Sequence, residues 1–485
     1  MRAWGFAMFG ALVIGAGYWG GIDALELAFL ITGVLALAGA SISAVRHTRD
    51  YLNPLTILIF SAALRLGLPG LLSVWYQPSA RMVWFSLPST YWSMGRALAL
   101  AGVLAAALGW ALVPERAAAT IGRPIAALAH RLVAVDRRMR SLSACWLLVG
   151  TASALLFLYL NFDSPLESIA NGAIRQNPDH VAGTSRYTFL ATNLLVTGAA
   201  ALACYLARRA GARWWAILSP GLFVLLALSP FGQRVGAATA LIYGLLICWY
   251  SSAFTQVKLR RVLSAIAVVA PLGLLYAGFM QIYRGAGITS GLAFFSAAGI
   301  RDYLEQTIWV EIGTLHPFVM ATFFAPGVLH NQTYPELLGY LGPFFGVRGV
   351  RPGAFMVEQL IDPNGSWGFH TGLVIDVYMN NGLGACLLIA LLFGALWRLM
   401  YEGFRAHAHS PGVLLVYTAL TWNFFWLFYE SVVNLFPLAT ALVFIGVLSL
   451  LSRLMPAERA VAPQLEPLAK LVQDGVRNSR VSSGL

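Results

Sequence analysis

Residues 371–397 read TGLVIDVYMNNGLGACLLIALLFGALW, an apolar run whose only ionised side chain is Asp376. A helix crosses the hydrocarbon core of a bilayer with about 20 mostly apolar residues. This run is longer than that, so it predicts a membrane-spanning helix. The helix would carry a partly desolvated carboxylate, which is the kind of group that enzymes use as a general base.

The whole chain has the same apolar character. Of its 485 residues, 59% are hydrophobic and 11% are charged, whereas soluble proteins are usually about 25% charged. The composition therefore predicts a lipid bilayer around most of the chain. The net charge of +12 is better explained by orientation in a membrane than by nucleic acid as a partner. The cysteines, all in apolar runs, are scattered in a way that favours packing over disulfides or metal binding: Cys145, Cys204, Cys248 and Cys386.

About twelve segments are long and apolar enough to span, so we expect an all-α polytopic membrane protein with about 12 transmembrane helices. They are residues 3–21, 24–45, 54–75, 94–113, 142–161, 187–207, 214–230, 235–254, 262–282, 371–397, 411–430 and 434–452. The first is followed by no clear cleavage site, which predicts a retained helix rather than a signal peptide.

Basic residues recur at every even-numbered junction between these segments. They are Arg46 and Arg49, then Arg116, Arg123, Arg131, Arg137, Arg138 and Arg140, then Arg208, Arg209 and Arg213, then Lys258, Arg260 and Arg261, then Arg398 and Arg405, and last Arg453 with the tail. Because Lys and Arg concentrate on the cytoplasmic side of a membrane, this alternation predicts that both termini are cytoplasmic.

The odd-numbered junctions are then extracytoplasmic, and two of them are long, at residues 162–186 and 283–370. The second contains semi-apolar runs at 303–325 and 334–345, which we expect to form short re-entrant or interfacial helices. Residues 1–453 would form one transmembrane catalytic domain. Residues 454–485, which are polar and contain prolines, would form a cytoplasmic tail.

Arginines on the outward side need an explanation, because orientation disfavours them there. As a set we interpret them as an anion-binding clamp, since arginine makes bidentate contacts to phosphate that lysine does not match. For any one of them, a solvated loop charge or a snorkelling helix-end residue is the alternative. The set comprises Arg175, Arg186, Arg234, Arg284, Arg348 and Arg351.

Four further residues join Asp376 as candidates. His370, Glu311 and Glu430 are possible proton acceptors, with a hydrogen-bonded structural role as the alternative for the two glutamates. Arg65 lies near the middle of the third segment, where a charge is costly, so it needs a cavity or an acid partner such as Asp376 or Glu430. No metal-ligand spacing or Walker loop is present, and no cofactor is expected. The Gly382-Leu383-Gly384 stretch is expected to be helical and too apolar for a phosphate loop.

The stretch Asp376-Val377-Tyr378-Met379-Asn380-Asn381-Gly382-Leu383-Gly384 resembles the O-antigen polymerases, the Wzy-type polymerases of oligosaccharide repeat units. That family often has acid-x-Tyr-x-Asn-x-Gly-x-x-Gly after its large outward loop. Tyr378, Asn380 and Gly382 match, Asp376 replaces the more usual Glu, and Gly384 comes one residue early. Asn53-Pro54-Leu55 and Gly232-Gln233-Arg234 also resemble the family. The spacing of His370 and Gly382 is similar to that in the related O-antigen ligases.

The resemblance implies a GT-C-type glycosyltransferase of the bacterial inner membrane that works without a metal on its extracytoplasmic side. Its substrate would be an oligosaccharide linked to undecaprenyl diphosphate, clamped by the arginines, with Asp376 or His370 as the base on the acceptor hydroxyl. Further implied partners are a chain-length regulator and a flippase. The alternatives are an O-antigen ligase, a lipid-linked oligosaccharide flippase or other transporter, and a non-catalytic envelope assembly protein.

Overall fold

The computed structural model describes residues 50–62, 89–172, 185–208, 213–231, 234–251, 259–306, 372–407, 410–429 and 435–455, together with residues 39, 42 and 45. In these parts of the chain all the regular structure is helical. The helices before the first long outward junction are α1 (Pro54–Ala62), α2 (Ser89–Leu112), α3 (Glu115–Leu132) and α4 (Arg137–Asn161). Those that follow are α5 (Pro165–Ala170), α6 (Ser185–Ala207), α7 (Trp214–Leu228), a 3-10 turn (Ser229–Phe231), α8 (Arg234–Tyr250), α9 (Leu259–Ala293) and α10 (Ala297–Gln306). The last three are α11 (Gly372–Ala406), α12 (Pro411–Tyr429) and α13 (Leu435–Leu454).

The prediction of an all-α membrane protein is confirmed. Six of these helices are long and apolar enough to span a bilayer, or seven if the bent pair α2 and α3 counts as one span. Their outer surfaces are apolar, as lipid contact requires, with Leu148 70%, Leu226 73% and Val443 59% exposed. The full set of about twelve spans stays a prediction, because segments 3–21 and 24–45 lie almost entirely outside the described residues and only the start of 54–75 is described.

The α12 helix lies at the centre of the bundle and is the most buried of the spanning helices described. It packs against α3, α6, α8, α11 and α13. On one side of it α2 pairs with α11, and on the other side α4, α6, α7 and α8 pack in sequence. The α2–α11 contact is so close that a Cβ atom added to Gly109 or Gly394 would overlap the backbone of the opposite helix. Such close approach of small residues is the usual way that spanning helices associate without a hydrophobic driving force.

Side chains from the even-numbered junctions contact one another at one end of the bundle. The Asp50 carboxylate accepts hydrogen bonds from Trp249 Nε1 and from the Tyr401 hydroxyl, each at 2.8 Å. Asp50 and Tyr401 belong to the junctions after segments two and ten, and Trp249 lies near the end of the helix that forms segment eight. The same end therefore gathers three stretches that are distant in sequence.

The remaining even-numbered junctions join at that end too. Arg208 donates to the carbonyl oxygen of Val135 at 2.5 Å, and Arg453 donates to that of Leu132 at 2.9 Å. Junctions after segments four, six and twelve are thereby connected. The contacts group the junctions as an alternating topology requires, while the assignment of this end to the cytoplasm stays a prediction.

Two junctions differ from their expected form. The α9 helix does not end at residue 282, since it continues to Ala293 across a break at Gly287, and α10 follows it directly. The basic junction after segment four is not a loop either, because most of it forms α3. The polar tail beyond Met455 and residues 307–371 of the long outward junction lie outside the described residues.

Candidate active site

Asp376 lies in the first part of α11 and is 3% exposed. The turns around it are buried on every side, since all residues from 374 to 380 are buried. Asn380, one turn later, donates from Nδ2 to the carbonyl oxygen of Asp376 at 2.6 Å. An acid inside a spanning segment is costly, and such residues usually face the bundle interior and carry function. The burial of Asp376 agrees with the first part of that rule.

The helix that carries Asp376 is broken at Gly382. The φ and ψ angles of this residue are 82° and −175°, a region that is essentially restricted to glycine. The expectation that Gly382-Leu383-Gly384 is helical is therefore wrong at its first residue. A break of this kind leaves amide and carbonyl groups on either side without their partners in the helix. In membrane proteins such discontinuous helices often form substrate sites.

A second break of the same geometry occurs in α9, at Gly287, with φ 81° and ψ −179°. It contacts the segment that follows α5, where Gly172 has a φ of 67°. A Cβ atom on Gly287 would lie 2.7 Å from the carbonyl oxygen of Ala170 and 2.9 Å from Cα of Asn171. Glycine at this position thus allows the first long outward junction to pack directly on the break.

Tyr283 joins three elements at the same end of the bundle. Its side chain is buried, and its hydroxyl lies 2.9 Å from the carbonyl oxygens of both Ile169 in α5 and Pro230 in the 3-10 turn. Nearby, the Tyr276 hydroxyl and Ser229 Oγ are 2.7 Å apart. Three odd-numbered junctions therefore meet here, at the end opposite to Asp50 and Tyr401.

This meeting point lies next in sequence to three of the predicted clamp residues. Arg284 follows Tyr283 on α9, Arg234 begins α8 after the 3-10 turn, and Arg175 comes shortly after Gly172. Arg186 is the second residue of α6. The structure describes the backbone of Arg186, Arg234 and Arg284 but not their side chains, and Arg175 lies outside the described residues. A shared cavity therefore stays a prediction.

The other predicted site residues, apart from Tyr378, lie outside the described part of the chain. They are Arg65, Glu311, Arg348, Arg351, His370 and Glu430. Tyr378 is described and is 7% exposed, packed within the same buried turns as Asp376. The structure describes α11 from Gly372 onward, so the position of His370 relative to Asp376 stays a prediction.

An ionic cluster that the sequence did not predict lies at the opposite end of α11, and two of its members, Arg398 and Glu402, are buried. Arg398 Nη2 lies 3.0 Å from Glu402 Oε1, with 6% and 3% of the two side chains exposed. Arg405 bridges Glu402 and Glu115 at 2.9 Å and 3.1 Å. The alternation of basic junctions accounts for Arg398 and Arg405 only as orientation charges. The i,i+4 spacing of Arg398 and Glu402 was a signal that could have indicated a pair.

A comparison of the chain with family models finds no match, and neither curated proteins nor solved structures give one.

Proposed function

We propose that this multi-pass membrane protein is a metal-independent glycosyltransferase that polymerises undecaprenyl-diphosphate-linked oligosaccharide units on the extracytoplasmic side. The observation that carries the proposal is the deeply buried Asp376 on a spanning helix that breaks at Gly382. Acids inside spanning segments usually mark functional sites, and the break at Gly382 places free backbone groups in the same stretch.

In the proposed reaction, a hydroxyl of the acceptor sugar attacks the anomeric carbon of the donor sugar. The new glycosidic bond forms as the bond from that carbon to the diphosphate oxygen breaks. The Asp376 carboxylate takes the hydroxyl proton, and the leaving diphosphate keeps the bonding electrons. Burial of Asp376 keeps water away from the site, which limits hydrolysis of the donor.

The diphosphate gains charge as it leaves, so the reaction needs cations beside it. The proposal gives this role to Arg234 and Arg284, supported by the hydrogen bonds of Tyr283 that bring their backbone neighbours together. Arg175, Arg186, Arg348 and Arg351 are the further members proposed for the clamp. Guanidinium groups would supply the charge that a metal supplies in other enzymes.

A second candidate function is transport of the same lipid-linked oligosaccharide across the membrane. The observation in its favour is that two helices, α9 and α11, are both broken at glycine. Discontinuous helices frequently line the substrate sites of transporters.

The deciding experiment supplies the purified protein, in proteoliposomes, with lipid-linked repeat units. A ladder of products that is lost in Asp376→Asn would support the polymerase. Transfer of single units to a different lipid acceptor, without a ladder, would favour the ligase. Movement of the oligosaccharide between leaflets without new glycosidic bonds, scored by lectin accessibility, would favour the transporter and contradict the proposal.

A further inference from the structure

The α3 helix has two apolar faces, one buried and one exposed. Ala118, Gly122 and Ala126 form the buried face. Gly122 packs there against α11 so closely that an added Cβ atom would lie 2.8 Å from Cα of Gly403. This face explains how α3 attaches to the bundle.

The second apolar face has no protein against it in the part of the chain that the structure describes. It consists of Ile121, Ile125, Leu128 and Leu132, which are 54%, 58%, 56% and 51% exposed. At 100° per residue these four side chains fall within one narrow stripe. Arg116, Arg123 and Arg131 are also exposed and lie on the remaining side of the helix.

The direction of α3 differs from that of the spanning helices. Its axis is bent by 88° from that of α2, whose apolar part ends at Leu112. Because α2 packs along the spanning helix α11, a helix perpendicular to α2 lies along the membrane plane. Ionisable side chains occur in its first, middle and last turns, which disfavours a path through the hydrocarbon core.

Both ends of α3 are held in place. Glu115 at the first turn pairs with Arg405 at 3.1 Å. In the last turn His130 Nδ1 lies 2.7 Å from Ser410 Oγ, and Arg453 donates to the carbonyl oxygen of Leu132 at 2.9 Å. The exposed stripe therefore has a fixed orientation relative to the bundle.

We propose that α3 is an interfacial helix that binds the anionic phospholipid surface of the leaflet at this end of the bundle. Exposed apolar side chains also precede the stripe in the chain, at the end of α2, where Leu108 and Leu112 are 51% and 61% exposed. This continuity along the chain makes lipid the occupant of the stripe, at a depth of about 5–10 Å. The arginines on the polar side of the same helix would lie within the roughly 8–10 Å over which surface charges act, and they match the charge of anionic headgroups. The inference is independent of the proposed glycosyltransferase activity.

A depth measurement tests the position of the helix. The full-length protein, with Cys145 replaced by Ser, is labelled with an environment-sensitive fluorophore at Leu128→Cys or, as the matched control, at Arg123→Cys. It is then placed in nanodiscs of phosphatidylcholine and phosphatidylglycerol. We expect shallow spin-labelled lipids to quench position 128 and aqueous iodide to quench position 123. Equal iodide quenching at both positions would show that the stripe faces water and would overturn the proposal.

A second measurement tests the preference for anionic lipid. The label at position 128 reports the ratio of quenching by spin-labelled phosphatidylglycerol to quenching by spin-labelled phosphatidylcholine. An arginine near an anionic surface contributes up to about a fivefold preference for anionic lipid. We therefore expect the quenching ratio to exceed the value that the bulk lipid composition would give. Added salt should lower the ratio, because it screens the charges. Arg116→Gln, Arg123→Gln and Arg131→Gln together should return it to the bulk value while position 128 stays buried in lipid. A bulk ratio in the unsubstituted protein would overturn the anionic-lipid assignment.

Discussion

At the scale of single residues, Asp376 is the group whose replacement separates binding from transfer. Asp376→Asn keeps the shape of the side chain and removes the proton acceptor. We expect lipid-linked substrate still to bind and transfer to fall by about 10²–10⁴-fold, the usual contribution of a general base. Product ladders and substrate retention on the purified protein measure the two effects. Asp302→Asn is the control, since this acid is described and exposed and belongs to a different helix, α10.

Gly382 provides a second prediction at the same scale. Its φ of 82° is one that a residue with a Cβ atom rarely adopts, and the substitution Gly382→Ala should cost about 1–3 kcal/mol. Thermal unfolding in detergent measures this cost. Gly384→Ala is a matched control two positions away, because an added Cβ atom there meets nothing within 4 Å. Similar losses for both variants would contradict a specific role for the break.

At the scale of helices, the α2–α11 contact depends on Gly394. An added Cβ atom at this position would overlap the backbone around Ala106 of α2. We therefore expect Gly394→Ala to separate the helices and to destabilise the protein by about 1–3 kcal/mol, as overpacking usually does. Gly446→Ala on α13 is the control, since that site is open. Unfolding temperatures and the yield of monodisperse protein measure the difference, and an unchanged Gly394→Ala protein would refute the close contact.

At the scale of the whole molecule, the topology is the feature to test. The structure places the even-numbered junctions together at one end and the odd-numbered junctions that it describes at the other. With Arg137 and Arg208 assigned to the cytoplasm, cysteines at 175 and 348 should react with an impermeant maleimide in intact cells. Cysteines at 137 and 208 should react only after permeabilisation. The reverse labelling pattern would show that the protein has the opposite orientation in the membrane and would contradict the prediction.

The sequence alone was sufficient for properties that depend on local composition. Hydropathy predicted the all-α membrane class and located nine apolar segments that the structure shows as helices, including α11 with Asp376. These predictions succeed because a spanning helix satisfies its own backbone and needs only a continuous apolar run. Asp376 was a candidate for a reason other than hydropathy. The order of residue types from Asp376 to Gly384 resembles the motif of the O-antigen polymerases.

Only the tertiary structure showed the features that depend on neighbours. Glycine is common in spanning helices, so a glycine in an apolar run does not by itself predict that Gly382 breaks α11 while Gly394 stays helical and packs on α2. The Asn381-Gly382 pair is a usual turn signal, but the apolar run around it favours a continuous helix. The burial of Arg398 and Glu402 likewise follows from the helices around them rather than from their spacing. Local periodicity determines which face of a helix is apolar. The partner of that face, and the point at which a helix must break to accommodate it, are decided by packing between residues far apart in the chain.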